Sequence, residues 1–78
     1  MKNIKTVINK IANELCWEEV DWITEIGEHQ LLYDKNIFKL VDNFGYDKFE
    51  SMIIAKIEAI RKDYELNFIN KGLLNAKN

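Results

Sequence analysis

Cys16 and His29 are the only cysteine and the only histidine of the chain, so any nucleophilic chemistry starts with them. A thiolate nucleophile needs a base within reach, a group that orients the base, and donors for a developing oxyanion. Cys16 falls at the end of a first helical pattern and His29 in an acidic stretch, which makes a pairing conceivable. Nothing supplies the orienting group or the oxyanion loop. The expectation is a buried cysteine and a surface histidine. Glu25 and His29 stand four residues apart, as two ligands on a helix would, but Gly27 lies between them and no further ligand converges. Paired carboxylates can share acid and base work when their surroundings push their pKa values apart. Here the carboxylates read as one solvated face. No glycine-rich phosphate loop is present. The pattern points away from catalysis, and no metal or cofactor is expected.

What remains is a stretch, WEEVDWITEIGEHQLLYD, over residues 17 to 34. It holds six acids, no lysine or arginine, and both tryptophans. Read as a helix, it sets Glu18, Asp21, Glu25 and Glu28 on one face, with Glu14 one turn earlier, and turns Val20, Ile23 and Ile26 toward a core. Read as a hairpin at about 20–34, it turns at Gly27-Glu28 and pairs Trp22 with Tyr33, Ile23 with Leu32 and Thr24 with Leu31. The hairpin also sets Asp21 against Asp34, a like-charge pair, so the helix is favoured.

The elements that must carry this stretch follow from apolar spacing. Ile4, Val7, Ile8, Ile11 and Leu15 give a helix over about 3 to 16, with Asn3 as N-cap. Tyr33, Ile37, Leu40, Val41 and Phe44 give another, ending at Gly45. Asp47 and Glu50 resemble a capping box, opening a stripe of Phe49, Met52, Ile53, Ile57, Ile60, Tyr64 and Phe68. Glu58 and Lys62 stand as an i,i+4 ion pair on that helix. Lys71-Gly72-Leu73 reads as its Schellman ending, with Leu73 folded back onto Phe68. The last helix is then about 25 residues, or roughly 37 Å. The expected fold is all-α, a small bundle of three or four helices with a long C-terminal helix. An α+β fold with the hairpin is the alternative. One helical domain over 1–73 is expected, with a frayed tail at 74–78.

Length and composition are consistent with that outline. Seventy-eight residues make one domain at most, 47% apolar and with nine aromatics. The lone cysteine fits a reducing cytoplasm, and no signal peptide or membrane span is read. Abundant Lys, Ile and Asn, with Arg61 the only arginine, are the products of A/T-rich codons, as in low-GC bacteria, their plasmids and their phages.

Charge is uneven: residues 1 to 16 carry +2, residues 17 to 34 carry −6 and residues 35 to 78 carry +2. Bulk charge does not favour nucleic acid. Lys56, Arg61, Lys62, Lys71 and Lys77 lie at different angles round the last helix and are interleaved with acids. A helix-turn-helix about Gly45 would open its second helix with Asp47 and Glu50, which face phosphates badly. The expected function is a non-enzymatic protein-binding module that presents Glu14, Glu18, Asp21, Glu25 and Glu28 to a basic partner, with Trp17 or Trp22 as anchor. Phage- or plasmid-type inhibitors of a nuclease, polymerase or defence complex use this strategy. Two alternatives stand beside it. One is a small DNA-binding regulator using the C-terminal helices. The other is a homodimerising module associating through Ile60, Tyr64 and Phe68.

Overall fold

The computed structural model describes the backbone of residues 3–76 and the side chains of residues 3–68. Four α-helices follow one another: α1 (Ile4–Leu15), α2 (Trp22–Glu28), α3 (Lys35–Phe44) and α4 (Tyr46–Ala76). A 3-10 turn, Gln30–Tyr33, links α2 to α3, and no strand occurs among the described residues. The fold is the all-α bundle with a long last helix, and the hairpin does not form.

α1 starts where Asn3 dictates. Its side-chain oxygen accepts the Thr6 backbone N–H at 2.8 Å, satisfying a donor that the helix itself leaves open. Its apolar stripe buries Val7, Ile8, Ile11, Ala12 and Leu15, chiefly against α4. Lys5 and Ile8 share a groove with Met52 and Ala55, and Cys16 meets Arg61, so α1 and α4 run side by side in the same direction. Phe49, Ile53 and Ile57 are the contribution of α4 to the core, each with no exposed surface. Ile26, Leu32, Ile37 and Val41 close the core from the remaining elements.

The acidic stretch is not one helix. α1 stops at Leu15, and α2 begins only at Trp22. Asp21 is the reason for the second start: its carboxylate accepts the Ile23 N–H at 3.1 Å and the Thr24 hydroxyl at 3.2 Å. An aspartate that caps is more stable there than inside a helix, where its side chain would compete with the backbone. Val20 and Ile23 do not reach the core and are about half exposed, whereas Ile26 is buried. Gly27 neither ends a helix nor turns a hairpin. It lies inside α2, where a Cβ would approach the Tyr46 hydroxyl to 3.1 Å. Partial burial, then the charges of Glu50 and Asp47, raise that tyrosine's pKa above its ordinary 10.0.

Other boundaries move for local reasons. Asp34 caps α3 through the Asn36 N–H at 2.9 Å, so Tyr33 falls outside the helix and is 74% exposed. Gly45 ends α3 with φ 97° and ψ 122°, and α4 begins at the next residue. Asp47 is therefore inside the first turn of α4 and forms no capping box, although its charge still suits the helix N-terminus. Glu58 and Lys62 do not close into an ion pair. α4 runs through Gly72 to Ala76, so the Schellman ending does not form. Helix continues over 74–76, where a frayed tail was expected. The expected contact of Leu73 with Phe68 lies outside the described side chains.

Candidate protein-binding surface

Residues 16 to 21 leave the end of α1 and cross toward α4, and Arg61 holds them. Its guanidinium donates from Nε to the Cys16 carbonyl and from Nη2 to the Glu18 carbonyl at 3.0 Å. These carbonyls lie at a helix end, where no intrahelical donor remains. The same guanidinium lies over the Trp22 ring, 4.5 Å from its centroid. Trp22 in turn donates its indole N–H to the Glu18 carbonyl at 3.1 Å and packs against the core. One arginine thus ties the α1–α2 connection to α4 through a planar fork and a cation–π contact.

Bending the chain this way pushes Trp17 outward. It is 57% exposed and meets the Tyr64 ring edge-on, with centroids 4.9 Å apart and planes at 71°. Tyr64 stacks on Phe68 at 6.5 Å, and these two rings are also more than half exposed. The sequence stripe of α4 therefore divides. Phe49, Ile53 and Ile57 are core, Ile60 is partly buried against it, and Tyr64 and Phe68 form a surface aromatic row with Trp17. A shallow cleft of about 320 Å³ opens between Trp17, Glu19, Arg61, Tyr64 and Glu65.

The expected acidic stripe is redistributed over this region. Glu18 and Glu28 are exposed, and Glu25 is half-buried. Asp21 faces its own helix N-terminus. Glu14 receives a hydrogen bond from His29 Nε2, which joins α1 to the turn after α2. His29 Nδ1 accepts the Leu31 N–H at 3.2 Å, so the proton resides on Nε2. Two of the five acids are thus engaged in hydrogen bonds within the chain, and Glu18 stands in the connection before α2, apart from Glu25 and Glu28, which lie one turn apart on that helix. No lysine or arginine pairs with any of them among the described residues. Glu19 and Glu65, outside the expected stripe, edge the aromatic cleft instead.

The residues weighed for chemistry are separated by their partners. Cys16 is buried and its thiol donates to the Asn13 carbonyl at 3.3 Å, while both nitrogens of His29 are occupied elsewhere. Glu25 is not the carboxylate that meets His29. No group of three or more metal-ligating side chains occurs among the described residues. No helix among the described residues is long and apolar enough to cross a membrane. Sequence reasoning missed Arg61 as an organiser, and Glu19 and Glu65 as rim acids. The available signal was the lone arginine one helical turn from Tyr64 and Glu65. No family model, curated protein or solved structure matches the chain.

Proposed function

We propose that this chain is a small non-enzymatic binding module that docks on a basic protein through the Trp17–Tyr64–Phe68 row and its acidic rim. The carrying observation is the Trp17–Tyr64 pair, both rings more than half exposed at the mouth of a cleft edged by Glu19 and Glu65. Large rings held rigidly at a surface lose little entropy on binding and supply anchor area. Carboxylates around them attract and orient a lysine or arginine side chain, whose cation also suits an aromatic face. Arg61 does not cancel that attraction fully, because its donors are committed to backbone carbonyls. Glu18 extends the field beside the cleft, with smaller roles for Glu14, Asp21, Glu25 and Glu28. Composition supports an A/T-rich coding source, and the setting proposed with it is a plasmid- or phage-type protein whose target is a nucleic-acid-binding protein of the host.

The test is charge reversal on the rim. Glu18→Lys, Glu19→Lys and Glu65→Lys together abolish capture of the basic partner from a low-GC bacterial lysate, and Trp17→Ala weakens it at least about tenfold. Wild-type capture falls with added salt, since the rim charges are exposed. Unchanged capture and unchanged salt response in the triple variant sink the reading. The nucleic-acid alternative relied on Lys56, Arg61 and Lys62, but Arg61 is turned inward. A gel shift at low salt that disappears with Lys56→Ala and Lys62→Ala replaces the first reading with that one.

A further inference from the structure

α4 has a second apolar line, beside the core stripe. Met52, Ala55 and Ala59 recur at three- and four-residue steps, Lys62 takes the next position and Leu66 the one after, and in the sequence the spacing continues at Ile69 and Leu73. At about 100° per residue this line lies roughly 130° round the helix from Phe49, Ile53 and Ile57. Its first half floors an open groove of about 480 Å³ between α1 and α4, lined by Lys5, Ile8, Met52, Ala55, Lys56 and Ala59. Its second half begins at Leu66, which is 50% exposed on the part of α4 that extends beyond the bundle.

The groove and the free segment complement each other. The groove has small residues on its floor and two lysines on its rim. The free segment presents a large apolar side chain, Leu66, with Asp63 one turn before it. No second segment of the described chain fills the groove. The geometry points to a second copy of this chain as the occupant, in an antiparallel α4–α4 dimer. Leu66 of each copy seats on Ala55 of the other, and the two-fold axis passes between Ala59 and Lys62. A large side chain entering a small-residue hole is the packing of an antiparallel seam.

Charges follow from that register. Asp63 of each copy faces Lys56 of the other, with Lys5 on the same edge. Lys62 lies at the centre of the seam, where its apolar stem packs and its ammonium reaches solvent. Glu58 and Glu65 meet on the opposite edge, open to water, where screening keeps their repulsion small. The groove is open beside α1 along the first half of each α4, so the arriving segment seats against both α4 and the flank of α1. Among the described side chains the seam runs from Ala55 to Leu66, about 16 Å along the helix. This face is separate from the Trp17 cleft, and the inference does not rest on the proposed function.

Sedimentation equilibrium on the full chain tests it, with circular dichroism confirming that each variant is folded. Wild type is expected to be a concentration-dependent dimer. Leu66→Asp and, independently, Ala55→Arg raise its dissociation constant at least about tenfold, both at exposed positions. Lys56→Asp weakens the dimer, and adding Asp63→Lys to it restores association. Register is read by oxidising a mixture of Ala55→Cys and Leu66→Cys proteins. They cross-link to each other, while Leu66→Cys alone does not, because its two copies lie about 16 Å apart along the seam. Cys16 does not interfere, being buried. A monomer at all concentrations overturns the inference. So does a dimer that survives Leu66→Asp, or one lost only on Tyr64 or Phe68 substitution.

Discussion

Arg61 concentrates three interactions in one side chain: two charge-assisted hydrogen bonds to carbonyls and a cation–π contact with Trp22. Arg61→Ala takes the guanidinium donor from the Cys16 carbonyl and leaves the Glu18 carbonyl with the Trp22 indole N–H alone, and is expected to cost about 1.5–3 kcal/mol. The urea midpoint measures this. Arg61→Lys recovers only part of the loss, because an ammonium cannot reproduce the planar fork over a ring. A lysine variant as stable as wild type shows that charge alone matters there. Trp17 depends on the same clamp indirectly, since the connection that Arg61 fixes is what presents Trp17 to Tyr64. Arg61→Ala therefore weakens partner capture as well as stability, while Trp17→Ala weakens capture with little effect on the urea midpoint.

The same contrast appears among elements. α1 and the core half of α4 were legible from the sequence because local spacing and tertiary burial agree: Val7, Ile11, Ile53 and Ile57 are predicted apolar faces and are buried. The region 17–34 was less so. Its outcome depends on Arg61, more than forty residues downstream, and on three short-range caps at Asp21, His29 and Asp34. Periodicity averages over windows longer than the seven residues of α2, so it joined two elements into one stripe. Gly45 ends α3 as its sequence position predicts, and its backbone gives the physical reason. Its φ of 97° suits glycine, and nothing lies within 4 Å of a Cβ placed there. Gly45→Ala is thus disfavoured by the backbone and not by crowding. It is expected to cost about 1–3 kcal/mol, read from thermal unfolding. A fully stable Gly45→Ala variant requires the α3–α4 junction to relax to another turn.

At the scale of the molecule, the chain is elongated. Its radius of gyration is 15.6 Å, against about 11.5 Å for a compact domain of this length, and its extents are 53 × 26 × 18 Å. The excess is α4, which was expected to be about 25 residues long and has 31. Its residues 62–68 are all exposed, whereas 49–60 anchor the core. Amide exchange should divide accordingly. At low protein concentration, amides beyond Asp63 exchange at least about tenfold faster than those near Ile53 and Ile57. As concentration rises, the distal amides gain protection in step with dimer formation. Uniform protection along α4 at every concentration excludes both the free overhang and the antiparallel seat.

The two tryptophans have different environments, and that gives the protein two optical reporters. Trp17 stands in solvent with only an aromatic edge against it, while Trp22 lies under a guanidinium with its indole N–H bonded to a carbonyl. Emission from Trp17 responds to whatever covers the cleft. Emission from Trp22 responds to the release of Arg61. With either ring replaced by phenylalanine, the remaining one reports a single event, so occupancy of the surface and integrity of the clamp can be followed separately in the unlabelled chain.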